Sequence, residues 1–235
     1  MTRPPAPTGP PSSRTTVRRV PDRARYERAE AAAILDEALI CHVGLATDDG
    51  PVVIPMLHAR DGDRLLLHGS PASRLLRAAR TADICATTTL IDGLVLARSA
   101  FHHSVNYRSV VVMGRATPLD DLADRRAALD VLVERVVPGR TADARPPNDR
   151  ELRKTTVLAL PLDECSVKVR TGGPVDEPAD MDLPVWAGVV PAAITFGPPQ
   201  PDPALPAGVP VPGYVVGYAR PAAPADPTVS DTRPG

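Results

Sequence analysis

Between Leu39 and His68 the apolar residues fall into three short blocks, separated by two acidic turns that each carry a glycine. Leu39–Thr47 is strand-like, Asp48-Asp49-Gly50 is a hairpin signal, and Pro51–Ala59 is a second strand. Asp61-Gly62-Asp63 turns the chain again into a third strand, Arg64–His68. Three strands joined by short polar turns make an antiparallel meander. The middle block, VVIPMLH, is apolar throughout, as expected of a strand covered on both faces. Pro55 inside it donates no ladder bond, which predicts an edge, a bulge or a gap beside a ligand.

The periodicity is helical before and after this meander. Asp22–Ala38 carries Ile34, Leu35 and Ala38 on one face, Ala72–Arg80 follows Gly69-Ser70-Pro71, and Leu119–Val137 presents Leu122, Leu129, Leu132, Val133 and Val136 before Pro138-Gly139 stops it. Asn148–Lys154 reads as a short turn capped by Asn148. Further strands are predicted at Ala82–Ile91, Leu94–Ala100, Tyr107–Pro118, Thr155–Leu160 and Ser166–Arg170, with Asp92-Gly93 as a turn between the first two. Leu183–Pro191 is the last apolar island. Six or seven strands with a few helices predict a mainly β, α+β architecture: a closed antiparallel barrel. Residues 1–21 and 197–235, rich in proline, are expected to be a disordered tail and an extended or disordered arm around one domain, 22–196.

Composition narrows the function. A formal net charge of -1 speaks against nucleic-acid binding and against an anionic membrane surface. No apolar run reaches the roughly 18 residues of a membrane span, and 1–14 has no apolar signal core, so a cytoplasmic protein is expected. Cys41, Cys85 and Cys165 are widely spaced in apolar runs, as buried free thiols are. There is no G-x-G-x-x-G.

Two stretches carry candidate chemistry. In His68-Gly69-Ser70-Pro71-Ala72-Ser73-Arg74, a strand gives way to a helix through glycine, and serine hydroxyls and a guanidinium make parts of a phosphate site. Helix capping by Ser70 with Pro71 in the first turn accounts for the same residues. Arg98–Gly114, RSAFHHSVNYRSVVVMG, enters a β-branched strand through polar and aromatic residues. His102 and His103, adjacent on a strand, would face opposite ways. With a two-residue loop at Asp49-Gly50, His42 lies opposite Leu57 and points away from His58. No metal site is expected.

HGSPASRLLRA, DGLVLARSAFHHSVNYRSVVVMGRA, KVRTGGPVD and LPVWAGVVP together resemble the pyridoxamine 5′-phosphate oxidase-related, FMN-binding split-barrel proteins, nearest their Nim-type nitroimidazole-resistance branch. The resemblance spans roughly residues 20–195. It implies a six-stranded split barrel that forms a homodimer with FMN at the interface. It implies a flavin phosphate held by Ser73 and Arg74 near Ser70, and an isoalloxazine along the backbone of Ile54, Pro55 and Met56. It further implies His68 and Gly69 beside the ribityl chain, and Asn106, Tyr107, Arg108 and Ser109 supplied by the second subunit. Lys168, Arg170 and Trp186 match the family's C-terminal segment loosely. The arginine-and-tryptophan substrate signature of true pyridoxamine phosphate oxidases is absent. The activity implied is FMN-dependent reduction of a small, nitro-aromatic-like acceptor by a small-molecule donor, with His68, His102 or His103 as candidate proton donors. The alternative on the same fold is a flavin-, F420- or haem-binding carrier, store or sensor.

Overall fold

A computed structural model describes residues 9–219. In chain order its strands are β1 (Ala24–Arg25), β2 (Ile40–Thr47), β3 (Gly50–Asp61), β4 (Arg64–Gly69), β5 (Ile84–Leu96), β6 (Ser104–Gly114), β7 (Thr117–Pro118), β8 (Thr156–Pro161), β9 (Cys165–Arg170) and β10 (Gly188–Pro191). The helices are α1 (Arg28–Glu37), α2 (Arg74–Ala78), α3 (Leu122–Val136), α4 (Arg140–Asp143), α5 (Asp149–Arg153) and α6 (Gly213–Val216). The order across the sheet is β1-β9-β6-β5-β2-β3-β4-β8-β7, with β10 paired to β5. All pairings are antiparallel. No ladder joins β7 to β1 among the described residues, so in place of the expected closed, six-stranded barrel there is a ten-stranded sheet, an open path of nine strands with β10 alongside β5.

The meander forms as its turns dictate, with one shift. Thr47 pairs with Gly50, so the loop residues are Asp48 and Asp49, and His42 lies opposite Pro55 rather than Leu57. The two-residue offset preserves side-chain parity, and His42 still faces away from His58. Register separates the two faces. Cys41, Val43, Ala86, Val110, Val112 and Val167 point inward and are buried, together with Leu65, Leu67, Leu158 and Leu160 from the other half of the sheet. Ile34 and Leu35 of α1 close this core at one end. A second core lies behind β4 and β8, where Leu66, Val157 and Ala159 meet Ala128 and Leu132 of α3.

The strand with both faces covered is therefore β4, not β3. Val53 and Ile54 are exposed, at 64% and 39%. The reason is pairing: β3 meets β4 only over His58–Asp61, which leaves Gly50–Leu57 with β2 on one side and an open edge on the other.

Ile84–Leu96 is one continuous strand, not a hairpin around Asp92-Gly93. Asp92 is a bulge: Ile91 pairs with Tyr107 and Gly93 with Asn106. Glycine is needed at 93 because a Cβ there would lie 2.9 Å from the Val190 carbonyl oxygen of β10. The outermost 1–8 and 220–235 of the expected tails lie outside the described residues. Residues 9–21 are laid against the sheet, with Thr15 buried and Arg14 3.1 Å from Asp83. The arm returns to the body through Tyr218, whose hydroxyl donates to the Val136 carbonyl and whose ring stacks edge-on against Phe196. No helix among the described residues is long and apolar enough to cross a membrane.

Candidate functional site

The open edge of β3 gives Pro55 its place. His58 donates to the Leu39 carbonyl at 3.3 Å, so hydrogen-bonded pairs along β2–β3 fall on the even-numbered residues of β3. The nitrogen of Pro55 then faces the unpaired side, and its missing proton removes no ladder bond. Ile54 and Pro55 are exposed on this edge while Met56 packs partly against the core.

At the next turn Arg74 is 85% exposed, with its guanidinium 4.0 Å from Asp49 in the β2–β3 turn. The helix begins here, two residues later than the pattern at Ser70-Pro71 suggests. Ser73 is its N-cap, accepting from Leu76 N at 3.3 Å, and Ser70 accepts from Ala72 N at 3.2 Å. Pro71 lies before the helix, in the turn. Gly69 allows α2 to lie on β4, since a Cβ would come within 2.9 Å of Leu76 Cδ1.

The stretch from Arg98 is a loop before it is a strand. Ala100–His102 is a single 3-10 turn, so His102 and His103 do not alternate on a strand. His102 lies 3.6 Å from the Glu177 carboxylate, and His103 Nδ1 donates to the Ser99 carbonyl at 3.0 Å. Asn106 and Arg170 are buried against each other: Arg170 donates to Asn106 Oδ1, and both reach the Gly172 carbonyl, Asn106 at 3.0 Å. Burial lowers the pKa of the Arg170 guanidinium.

Arg108 is held by two carboxylates. It donates to Asp92 at 2.7 Å and to Glu37 at 2.9 Å, bonds that raise its pKa further. Its charge is neutralised within the chain, so it is not a free cation for a phosphate. Tyr107 is half-buried and Ser109 donates to the Lys168 carbonyl at 3.3 Å. Lys168 is taken up by the Arg19 carbonyl at 2.9 Å. Trp186 is 66% exposed and stands over Gly188.

His68 belongs to a different neighbourhood from Ser73 and Arg74. It shares the α3-facing side of β4 with Leu66 and lines a cleft of about 520 Å³. The cleft is walled by Leu57, Leu129, Leu132, Val133 and Val136, with Arg140 and Arg145 among its polar lining residues. His68 Nδ1 is buried with no hydrogen-bond partner among the described residues, and burial lowers the pKa of the ring. A second cavity of about 640 Å³ lies by the Glu37–Arg108–Asp92 cluster, under Ile194 and Phe196 of the arm. The α3 stripe that walls the His68 cleft is visible in the sequence. Its second use is not, because Arg140 and Arg145 lie more than 70 positions beyond His68.

An open antiparallel sheet with a proline on a free strand edge, a cation at the next turn and a helix-covered cleft behind it defines the flavoprotein-like sheet class that the central motifs suggest. The profile described as pyridoxamine 5′-phosphate oxidase matches residues 27–169, and the chain belongs to that family. Among solved structures, the flavocytochrome Anf3 of Azotobacter vinelandii is 42% identical, with a TM-score of 0.85 over 88% of this chain and 97% of that one. The FAD and heme binding protein of Mycobacterium smegmatis is 37% identical, with a TM-score of 0.79 over 82% and 95%. A Bacteroides thetaiotaomicron protein ascribed to 5-nitroimidazole resistance is 26% identical, with a TM-score of 0.51 over 62% and 86%. No curated protein matches.

Proposed function

We propose that this chain is a redox protein that binds a flavin and a haem. The observation that carries the flavin half is the free edge of β3 at Ile54–Pro55, with Arg74 exposed at the turn beside it. The haem half is supported by the two relatives of 42% and 37% identity, whose names include flavocytochrome in one case and FAD and heme in the other. Those names favour FAD over the FMN that the sequence motifs suggest, and favour haem over F420.

When bound, the flavin supplies hydride and electron transfer between a small-molecule donor and an acceptor. The chain's part is to hold it. The backbone of Ile54–Met56 lies where a planar ring would meet unpaired peptide groups. Arg74 has the exposed fork suited to a phosphate, with Ser73 beside it. A second copy of this chain completes the site by covering the outer face of β3, β2 and β5, where Val53, Ile40, Ile91 and Leu94 are exposed. Turnover of a small acceptor, nitro-aromatic or other, is the enzymatic form of this reading.

The absorbance spectrum of the purified protein, as isolated and after addition of FAD, FMN and hemin, tests it. Flavin bands together with a Soret band are expected. Absence of any bound flavin after both flavins are supplied overturns the flavin half.

A further inference from the structure

We propose that the cleft beneath α3 is the haem site of this chain, with His68 as the axial ligand to the iron and Arg140 and Arg145 as the cations that meet the haem carboxylates. The proposal rests on the haem half of the reading above and adds its location.

The argument begins with the five histidines of the sequence. His58 is wholly buried in the core, and its Nε2 donates to the Leu35 carbonyl at 3.0 Å, so no planar group reaches it. His42 is exposed on the outer sheet face, between Thr87 and Pro55. His102 is beside Glu177, and His103 is fixed to Ser99. None of these four lines the α3 cleft, and His68 does. Its buried Nδ1 has no partner among the described residues. An unpaired buried polar atom is exceptional in a native fold, and a ring engaged by a ligand is one reason to keep it.

The rest of the cleft suits the same group. A haem is flat and apolar, with two carboxylates along one edge. The volume of about 520 Å³ falls within the usual range for cofactor sites, about 300–1,000 Å³. Leu57, Leu129, Leu132 and Val133 supply apolar walls, and the two arginines are the cations of the lining. Arg145 already holds one carboxylate there, Glu151 at 2.8 Å, while the Arg140 guanidinium donates to the Tyr214 hydroxyl at 3.3 Å. Asp130 and Glu151 also line the cleft, so the arginines offset charge as well as attract it. The position also serves electron transfer. Leu57, in the cleft wall, is two residues from Pro55, on the proposed flavin edge, or about 7 Å along a strand.

The test is a hemin titration of the full chain, followed by Soret absorbance and electron paramagnetic resonance. Wild type, His68→Ala, His102→Ala, the double variant Arg140→Ala/Arg145→Ala and the cleft-filling Val133→Trp are compared, with circular dichroism and flavin bands as fold controls. In His68→Ala the Soret band shifts and hemin affinity falls at least tenfold, and added imidazole restores the wild-type spectrum. The double arginine variant binds several-fold more weakly with an unshifted Soret band. Val133→Trp excludes hemin although His68 is present, which keeps the test decisive if His68→Ala fails to fold. His102→Ala behaves as wild type. Wild-type spectrum and affinity in both His68→Ala and Val133→Trp overturn the assignment while leaving haem binding intact. Failure of wild type to give a Soret band with hemin overturns the haem reading itself.

Discussion

At the level of single residues, environment outweighs sequence neighbours. His68 stands one position from Gly69 and six from Arg74, yet it faces α3 and not the Arg74 turn. Its pKa is lowered from 6.5 by burial. Above pH 6.5 the imidazole is neutral in both folded and unfolded chains and adds nothing to the pH dependence of stability. As the pH falls below 6.5 the unfolded chain takes up the proton first, so the cofactor-free protein loses stability until the lower folded pKa is reached. The urea midpoint of cofactor-free wild type is therefore expected to drop between pH 7 and pH 5 more steeply than that of His68→Ala; equal slopes in the two proteins would contradict this. Cys41 shows the same force, its thiol pushed up to about 12 by burial.

Between elements, the decisive interactions are polar and long-range. Arg108 of β6 ties Glu37 at the end of α1 to Asp92 in the β5 bulge. The hairpin pattern around Asp92-Gly93 reads as a turn because Asp-Gly is a strong turn signal. The structure uses the same pair as a bulge, since β10 docks against Gly93 and the aspartate is needed to meet Arg108. Removing one member of a partly buried ion cluster leaves uncompensated charge, so Arg108→Ala is expected to cost about 1–3 kcal/mol in urea unfolding. Flavin affinity per folded molecule should stay close to wild type. A large loss of flavin affinity with unchanged stability would return Arg108 to the cofactor site. By contrast, the Asn148 cap was legible, and α5 has the full capping box with Glu151, because that interaction is local.

For the whole molecule, the outer face of β3, β2 and β5 has Val53, Ile40, Ile91 and Leu94 exposed, which is a large apolar surface to leave in water. On the proposed reading a second copy covers it. Light scattering should then give about twice the 24.8 kDa of one chain, and Val53→Glu/Ile91→Glu should halve that mass and release flavin; a wild-type monomer that keeps its flavin would refute it. The antiparallel meander, the long helix ending at Pro138-Gly139 and the capped turn into a helix at the third strand's end were determined by the sequence itself, through periodicity and turn chemistry acting over a few residues. Strand count, the open path and the exposure of β3 were decided by tertiary structure, because a sheet face is buried only where another element happens to lie. The same holds for which polar groups remain available. Arg108, Asn106, Arg170 and Lys168 look alike as candidates in sequence, but the fold brings each a partner from 16 to 149 positions away, while His68 keeps a buried nitrogen without one among the described residues.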